Sequence, residues 1–155
     1  MLTITWIFKE VHVFTTQASA ISKTNPEAIW PLYSDVTNWK RWNEAILASR
    51  VEAAFEAGSK GSMTIEGNPR PLEFVLLEVE ANKLFRDVAE IPGVKIEFTH
   101  LLEPVADGTK ITHQVTISGP AWEPVAATVG KKLEHDLPNT VASLARLAEQ
   151  ALAAT

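Results

Sequence analysis

The chain has 155 residues, 46% of them hydrophobic, which is enough to bury one sizeable core and marginal for two. Fourteen lysine and arginine residues stand against nineteen aspartate and glutamate residues, so the net charge is −5, and the lack of any basic run argues against a nucleic-acid partner. The sequence has no cysteine, which excludes disulfide bonds, thiolate metal sites and cysteine catalysis.

The first ten residues alternate large apolar side chains with smaller ones, a pattern typical of a strand. Residues 1–10 are therefore expected to form an N-terminal strand extension or a tail. The segment has no basic region before its apolar part, and it reaches Lys9 and Glu10 too early for a signal peptide or a membrane span. We expect a cytoplasmic protein without a membrane span, present as a monomer or a homodimer.

Strand-forming residues continue over 11–22, and two short helices are predicted after them. Asn25 can cap the first helix and Pro26 suits its first position, so this helix is expected from Pro26 to about residue 34. A break and a new cap then predict a second, shorter helix that carries Trp39 and Trp42. The two helices together are expected to form a corner.

Six strand-like runs follow, and turn-forming residues separate each run from the next. No stretch with helical periodicity interrupts them. Because the connections are short, neighbouring strands are expected to be antiparallel. The predicted strands are 46–56, 61–67, 71–80, 83–90, 94–103 and 109–118.

The last third of the chain predicts one long amphipathic helix that opens at Gly119-Pro120 and runs close to Thr155. Pro138 removes a backbone hydrogen bond and should kink the helix, but the apolar face keeps its phase on both sides of it. So broad an apolar stripe needs the sheet as its partner. The residues of the apolar stripe are Trp122, Ala126, Val129, Gly130, Leu133, Leu137, Val141, Leu144, Leu147, Ala148 and Ala151.

This order of elements is an α+β pattern, and several segments of the chain are similar to a known family. They are Pro26-Glu27-Ala28-Ile29-Trp30, Ser34-Asp35-Val36, Asn38 to Asn43, Phe98 to Pro104, Asp107-Gly108-Thr109 and Gly119-Pro120. Over roughly residues 11 to 152 the chain resembles polyketide cyclase/dehydrase-like proteins of the START-related (SRPBCC, Bet v 1-like) helix-grip superfamily.

The resemblance implies one helix-grip domain over residues 1–155. Its expected architecture is a seven-stranded, curved antiparallel sheet wrapped around the long C-terminal helix, with two short helices after strand one and a cavity between sheet and helix. Members of this superfamily include cyclases, hydrolases, lipid carriers, hormone receptors and chaperone partners. The fold therefore does not decide the activity.

Strand alternation predicts that His100 and His113 point towards this cavity from neighbouring strands. A four-residue loop at 105–108 would place the two histidines directly opposite each other. A two-residue turn at Asp107-Gly108 would make them diagonal neighbours instead. In either case the two rings are expected to be close.

On the other side of His100, a tight turn at Pro92-Gly93 brings Asp87 onto the same inward face, provided that no bulge intervenes. Desolvation lowers the pKa of a histidine and raises that of an aspartate, so Asp87, His100 and His113 could exchange protons with an enolisable substrate. The alternatives are structural hydrogen bonding, orientation of a ligand, or a facial metal set. We expect no metal and no cofactor.

Other side chains are predicted to contact a ligand because they share an inward face or lie at the helical corner near the cavity mouth. Large rings there can stack on a flat ligand, and a methionine offers an adaptable wall. The candidates are Tyr33, Trp42, Met63, Phe85, Phe98, Val115, Gly130 and Leu133.

Three classes of function remain open from the sequence. The first is a binding module whose cavity holds a hydrophobic or aromatic small molecule, as a carrier or a sensor. The second is an enzyme of the cyclase/dehydrase type, lyase-like and without metal, in which Asp87, His100 or His113 moves protons during aldol closure or loss of water. The third is a protein-interaction domain whose partner covers the cavity mouth.

Overall fold

The computed structural model describes residues 13–154, so the strand extension expected at residues 1–10 lies outside the described part of the chain. Seven strands and a long closing helix account for most of it. The elements are β1 (Phe14–Ser22), α1 (Pro26–Ser34), a 3-10 helix (Val36–Arg41), β2 (Ile46–Val51), β3 (Lys60–Ile65), β4 (Leu72–Glu80), β5 (Leu84–Ile91), β6 (Val94–Val105), β7 (Gly108–Ser118), α2 (Trp122–Val125), a π-helical turn (Ala126–Gly130) and α3 (Lys131–Ala153).

The strands form one antiparallel sheet in the order β1-β7-β6-β5-β4-β3-β2. Each strand from β2 to β6 pairs with the next along the chain, because the connections are short, and β1 pairs with β7. The register shifts between Ile46 and Ala48 and again between Leu76 and Glu78, and such bulges bend a sheet. The predicted helix-grip architecture is confirmed, with the sheet curving around the closing helix.

The helical corner after β1 follows from the capping residues that the sequence supplies. The Asn25 side chain accepts a hydrogen bond of 3.0 Å from the Ala28 amide, and Pro26 occupies the first position of α1. In the 3-10 helix that follows, Trp39 packs inward, and its indole N–H donates to the Tyr33 carbonyl at 2.8 Å. Trp42, just after this helix, donates to the Leu32 carbonyl at 3.1 Å, so both indoles are fixed in place.

The closing helix runs from Trp122 to Ala153 and comprises α2, the π-helical turn and α3. Pro138 lies on the solvent side of α3, which continues through it. The sequence did not predict the π-helical turn at Ala126–Gly130. Such a turn takes more residues than an α-helical turn and so changes which side chains share a face.

The interior contains two clusters of buried apolar side chains. The larger one lies under the helical corner and the C-terminal half of α3 and includes Tyr33, Trp39, Phe85 and Leu144. The smaller one joins β6, β7 and the N-terminal half of the closing helix through Val94, Ile96, Val115, Ile117 and Leu137. No helix in residues 13–154 is long and apolar enough to cross a membrane.

Candidate functional site

A cavity of about 450 Å³ lies between the concave face of the sheet and the N-terminal half of the closing helix. Most of its wall is apolar, because strand alternation and the helical apolar stripe both direct hydrophobic side chains into it. Its volume falls in the range of pockets that hold small molecules. The apolar wall includes Trp42, Ile46, Met63, Ile96, Phe98, Leu133 and Leu137.

Three polar side chains border this apolar space, and we refer to Asp87, His100 and His113 as the polar trio. They come from three adjacent strands, β5, β6 and β7, whose pairing is regular here. His100 pairs directly with His113, because Val105 pairs with Gly108 and the two-residue turn is Ala106-Asp107, one residue earlier than the turn at Asp107-Gly108 that would have made them diagonal. Direct opposition is thus the correct one of the two predicted arrangements.

All three side chains of the polar trio are nearly removed from solvent, with 2% of Asp87, 8% of His100 and 3% of His113 exposed. The His100 and His113 rings lie edge to face with 4.7 Å between their centroids. The His100 Nδ1 atom lies 3.9 Å from Asp87 Oδ1, which is too long for a hydrogen bond. No group of three or more histidine, aspartate or glutamate side chains in residues 13–154 is arranged to hold a metal ion.

The tautomer of His100 follows from its backbone contact. Nδ1 lies 3.3 Å from the Phe85 carbonyl oxygen, which can only accept, so Nδ1 carries the hydrogen. The ring also stacks on Phe85 with centroids 3.8 Å apart and planes 7° from parallel. In the neutral ring, Nε2 is therefore a hydrogen-bond acceptor held in a fixed orientation.

His113 is oriented by Tyr33, whose hydroxyl lies 2.8 Å from His113 Nε2. Within the described residues the Tyr33 hydroxyl has no other acceptor, so it donates to Nε2 and leaves the hydrogen of neutral His113 on Nδ1. Burial raises the pKa of Tyr33 well above its usual value, which keeps this phenol a donor. Tyr33 thus sets the tautomer of His113.

Asp87 is the unsatisfied member of the polar trio. Its Oδ1 is the one fully buried side-chain polar atom in residues 13–154 that has no hydrogen-bond partner. Burial raises the pKa of Asp87 to about 8, an effect that a hydrogen bond from its own backbone partly offsets. At neutral pH this carboxyl is therefore mostly protonated and can donate a hydrogen bond.

Burial has the opposite effect on the two histidines, because it lowers their pKa values. Burial lowers the pKa of His100 to about 3, and the hydrogen bond to the Phe85 carbonyl only partly offsets it. Burial, together with the charge of His100, lowers the pKa of His113 well below its usual value. The polar trio therefore combines an uncharged acid with two uncharged imidazoles near pH 7.

The mouth of the cavity lies between the β3–β4 turn and the closing helix. Glu66 from that turn and Lys132 and Asp136 from α3 line it, and all three also border a smaller outer hollow of about 270 Å³. Lys132 Nζ donates to Asp136 Oδ2 at 2.6 Å, and this bond lowers the pKa of Asp136. The mouth is polar, whereas the interior is mostly apolar.

The structure places half of the eight predicted ligand contacts on the cavity wall. Trp42, Met63, Phe98 and Leu133 line it, as do all three members of the polar trio. The others lie behind the wall, each for a packing reason. The four that do not line the cavity are Tyr33, Phe85, Val115 and Gly130.

Tyr33 and Phe85 lie behind the wall because other rings cover them. Tyr33 is four residues from Ile29 on the buried face of α1, and its hydroxyl is occupied by His113. Phe85 is sandwiched between Trp39 and His100, with Trp39 5.8 Å away. Both rings therefore support the site from behind.

Val115 and Gly130 also lie outside the cavity wall. Val115 is fully buried in the smaller apolar cluster, where the closing helix covers β7. Gly130 permits close packing instead of leaving room for a ligand, because a Cβ there would come within 2.9 Å of the Phe14 ring. Gly130, at the end of the π-helical turn, faces β1, whereas Val125 and Val129 line the cavity.

The contribution of the β3–β4 turn to the mouth is not predictable from local sequence. Glu66, Gly67 and Asn68 lie in the turn after β3, and no periodicity in the sequence indicates that this turn approaches the closing helix. A helical lysine such as Lys132 is typical of a solvated face, so its residue type does not indicate a place at the cavity mouth. The one available signal was Met63, because alternation from it leads through Ile65 to the turn.

The fold and the site together define a helix-grip protein with an internal, mostly apolar cavity. Residues 13–149 match the family described as "Polyketide cyclase / dehydrase and lipid transport". The chain therefore belongs to this family. No curated protein sequence matches it significantly.

Solved structures with the same fold are similar to this chain at low sequence identity. Zhui aromatase/cyclase from Streptomyces sp. R1128 superposes with a TM-score of 0.73 at 7% identity, covering 91% of this chain and 96% of that one. Norcoclaurine synthase from Thalictrum flavum, in complex with dopamine and hydroxybenzaldehyde, gives 0.68 at 16% identity, covering 97% and 95%. Protein NE0264 from Nitrosomonas europaea gives a TM-score of 0.69 at 18% identity, covering 88% of this chain and 95% of that one. At these identities the likeness extends to the fold alone.

Proposed function

We propose that this protein binds an apolar or aromatic small molecule in the cavity, as a carrier or a sensor. The observation that carries the proposal is about 450 Å³ of mostly apolar space inside a protein whose other half is closely packed. Empty apolar space is costly, since the lining atoms lose contacts that a filled core would provide. A ligand that fills it would restore those contacts.

A small molecule fits this space better than a protein partner does. The cavity extends from the mouth at Glu66 to the polar trio, where His113 is almost completely buried. A folded partner could cover the mouth, but it could not reach the inner end. The family description and the two named enzymes of the same fold, one of them holding aromatic molecules, support this choice.

Dye binding and thermal unfolding test the proposal. An environment-sensitive apolar dye should bind with micromolar affinity, and flat hydrophobic compounds should displace it. Because a ligand that binds only the folded state stabilises it by about 2.7 kcal/mol at a hundredfold excess over Kd, the melting temperature should rise with concentration.

A pair of tryptophan variants tells cavity binding from surface binding. Leu133 is half-buried on the cavity wall, so Leu133→Trp fills part of the cavity with a large ring. Dye binding should weaken about tenfold or more. Leu77→Trp adds the same ring at an exposed site that does not line the cavity, and should leave binding unchanged. Equal binding by both variants and the wild type would place the dye elsewhere and contradict the proposal.

Native mass spectrometry of protein purified from its own cells would identify the occupant directly. A co-purifying mass that is present in the wild type and absent from Leu133→Trp is the expected result. A protein that never carries a ligand and binds none of a broad hydrophobic panel would instead favour the protein-interaction class.

A second candidate, acid/base catalysis of cyclisation or dehydration, is favoured by the protonation state of Asp87. Asp87 is an acid whose pKa, about 8, lies near neutrality, where general acids are most effective. In loss of water from a β-hydroxy ketone, His100 Nε2 would accept the α-proton while Asp87 protonates the departing hydroxyl. The proton then returns from His100 to Asp87, and the products are the enone and water.

Kinetics of a side-chain series test this second candidate. His100→Gln keeps most of the volume but cannot take the proton, so turnover should fall by about 10²-fold or more while ligand affinity changes little. Asp87→Asn removes the acidic proton and should cause a comparable loss. If affinity falls and the wild type has no turnover with β-hydroxy ketones, His100 orients a ligand and does not catalyse.

A further inference from the structure

The inner end of the cavity has hydrogen-bonding groups that no partner within residues 13–154 satisfies. Asp87 is 2% exposed, borders the cavity and has an oxygen without a partner. His100 Nδ1 donates a hydrogen bond to the Phe85 carbonyl, and His113 Nε2 accepts one from the Tyr33 hydroxyl. The unused groups are therefore the Asp87 carboxyl, His100 Nε2 and His113 Nδ1.

These unused groups comprise both donors and acceptors. His100 Nε2 can only accept, His113 Nδ1–H can only donate, and a protonated Asp87 carboxyl can do both. Because the torsion about the last bond of an aspartate side chain is broad and roughly two-fold, rotation can exchange the two oxygens and present either to the cavity. A hydroxyl group, with one donor and two acceptor lone pairs, complements this set, whereas a hydrocarbon leaves it unsatisfied.

The charges around the cavity argue against an anionic ligand. Lys132 is the one lysine or arginine that lines it among the described residues, and it lies at the mouth, bonded to Asp136. The acidic side chains on the wall are Glu66 and Asp136 at the mouth and Asp87 at the inner end, and none of them can pair with an anion. A carboxylate carried to the inner end would be desolvated without a cation to pair with it.

We propose that the bound molecule carries an uncharged hydroxyl group, phenolic or alcoholic, at the end that enters first, and that Asp87 selects it. The inference rests on the proposed binding function and specifies its ligand class. The raised pKa of Asp87 agrees with it, because an uncharged carboxyl both donates and accepts.

Naphthalene and its derivatives test the selection, because they share one ring system and differ in a single substituent. Their affinities are measured at pH 7 by dye displacement and calorimetry. β-Naphthol should bind about tenfold more tightly than naphthalene, although it is the more water-soluble, and β-naphthoate should bind at least about tenfold more weakly than β-naphthol. A positively charged naphthylmethylamine is the fourth probe. Tighter binding of this cation than of β-naphthol would overturn the proposal in favour of an ionised Asp87.

Two substitutions assign the preference to Asp87. Asp87→Leu removes the polar group, so a buried hydroxyl loses its partner and naphthalene should become the tighter ligand. Asp87→Asn retains a donor and an acceptor and should keep the preference for β-naphthol. Circular dichroism and naphthalene binding report whether each variant is folded, and the wild-type ranking alone can overturn the proposal if Asp87→Leu does not fold.

The outcomes separate this inference from the proposed function. If naphthalene and β-naphthol bind equally well, or if Asp87→Leu keeps the preference for the hydroxyl, the inference is wrong while apolar binding in the cavity stands. If none of the four probes binds the folded wild type, both are wrong. A hydroxyl preference that is lost in Asp87→Leu and kept in Asp87→Asn supports both.

Discussion

The two halves of the closing helix pack against the same sheet in different ways. In the C-terminal half, Leu144, Val141 and Ala148 are fully buried in the larger apolar cluster. In the N-terminal half, Leu133 is half-buried and Val129 is 42% exposed, although both belong to the same apolar stripe. The cavity occupies the space between the N-terminal half and the sheet.

The difference shows how one amphipathic helix can serve stability and binding together. Small side chains such as Ala145 let the C-terminal half approach β1, where Ser22 donates a hydrogen bond to the Ala145 carbonyl. The N-terminal half contains the π-helical turn and contacts β1 through Gly130, while Leu133 packs at the edge of the smaller apolar cluster and lines the cavity. We expect substitutions in the packed half to change stability and those in the open half to change binding.

The largest expected effect is on stability in the packed half. Leu144→Ala should lower the free energy of unfolding by about 2 to 5 kcal/mol, because it leaves a cavity in a close-packed core. Leu133→Ala deletes the same atoms from a side chain that already borders open space, so the loss should be below about 1.5 kcal/mol. Urea denaturation measures both, and equal losses would mean that the two halves are packed alike.

The polar trio should make stability depend on pH in a specific way. The pKa of Asp87 is raised from an ordinary 3.8 to about 8, so its contribution to stability is fully present below about pH 4 and is lost as the pH rises to about 8. The pKa of His100 is lowered from 6.5 to about 3, so its contribution is present above pH 6.5 and is lost as the pH falls towards 3. In the wild-type protein the pH dependence of stability from Asp87 therefore opposes that from His100.

Asp87→Asn isolates the first of these trends. The stability of this variant relative to the wild type should grow by about 2 kcal/mol or more between about pH 4 and pH 8, and then level off. Asp136→Asn is the matched control, because the Lys132 hydrogen bond lowers the pKa of Asp136 and no gain should appear over that range. A flat difference for Asp87→Asn, measured by denaturation at several pH values, would mean that this carboxyl is ionised in the folded protein.

Loss of the Tyr33 hydroxyl should have a smaller effect. Tyr33→Phe leaves His113 Nε2 buried without its donor, and should cost about 1 to 2 kcal/mol. Thr15→Val removes a hydroxyl from the exposed Thr15–Thr116 pair on the outer face of the sheet and should cost less than about 0.5 kcal/mol. If both variants lose the same stability in urea, the bond to His113 is not a specific support of the site.

The smallest expected effect is on ligand affinity. Leu133→Ala removes part of the cavity wall and should weaken binding of an apolar dye about three- to tenfold, the contribution of one or two methylene groups. Leu144→Ala should leave the affinity of the folded protein nearly unchanged, because Leu144 does not line the cavity. Fluorescence titration measures both affinities. The reverse order would place the ligand under the C-terminal half of the helix.

Several features of the site were predictable from local sequence. Asn25 and Pro26 fix where α1 begins, and the turn at Pro92-Gly93 fixes the pairing of Ile91 with Val94. Once that turn was placed, period-two alternation was sufficient to put Asp87 on the inward face beside His100. These inferences succeeded because each depends on backbone geometry within one turn or between adjacent strands.

Other features depended on packing between distant segments. Tyr33 was predicted to contact a ligand, but its hydroxyl meets His113, eighty residues further along the chain. The π-helical turn, in which Gly130 faces β1 and Val129 lines the cavity, has no counterpart in a 3.6-residue period. The approach of the β3–β4 turn to Lys132, which forms the mouth, is also a long-range contact.

The sequence by itself determined the elements of this protein, their antiparallel order and the strand faces that carry Asp87, His100 and His113, because periodicity and turn chemistry are local properties. Only the tertiary structure decided how far the closing helix stands from the sheet, and therefore where a cavity exists and which inward side chains border it. That distance is set by the summed packing of both apolar clusters, in which small residues such as Gly130 and Ala145 allow close approach. The same packing shifts the pKa values of the polar trio, since desolvation depends on everything that surrounds a charge.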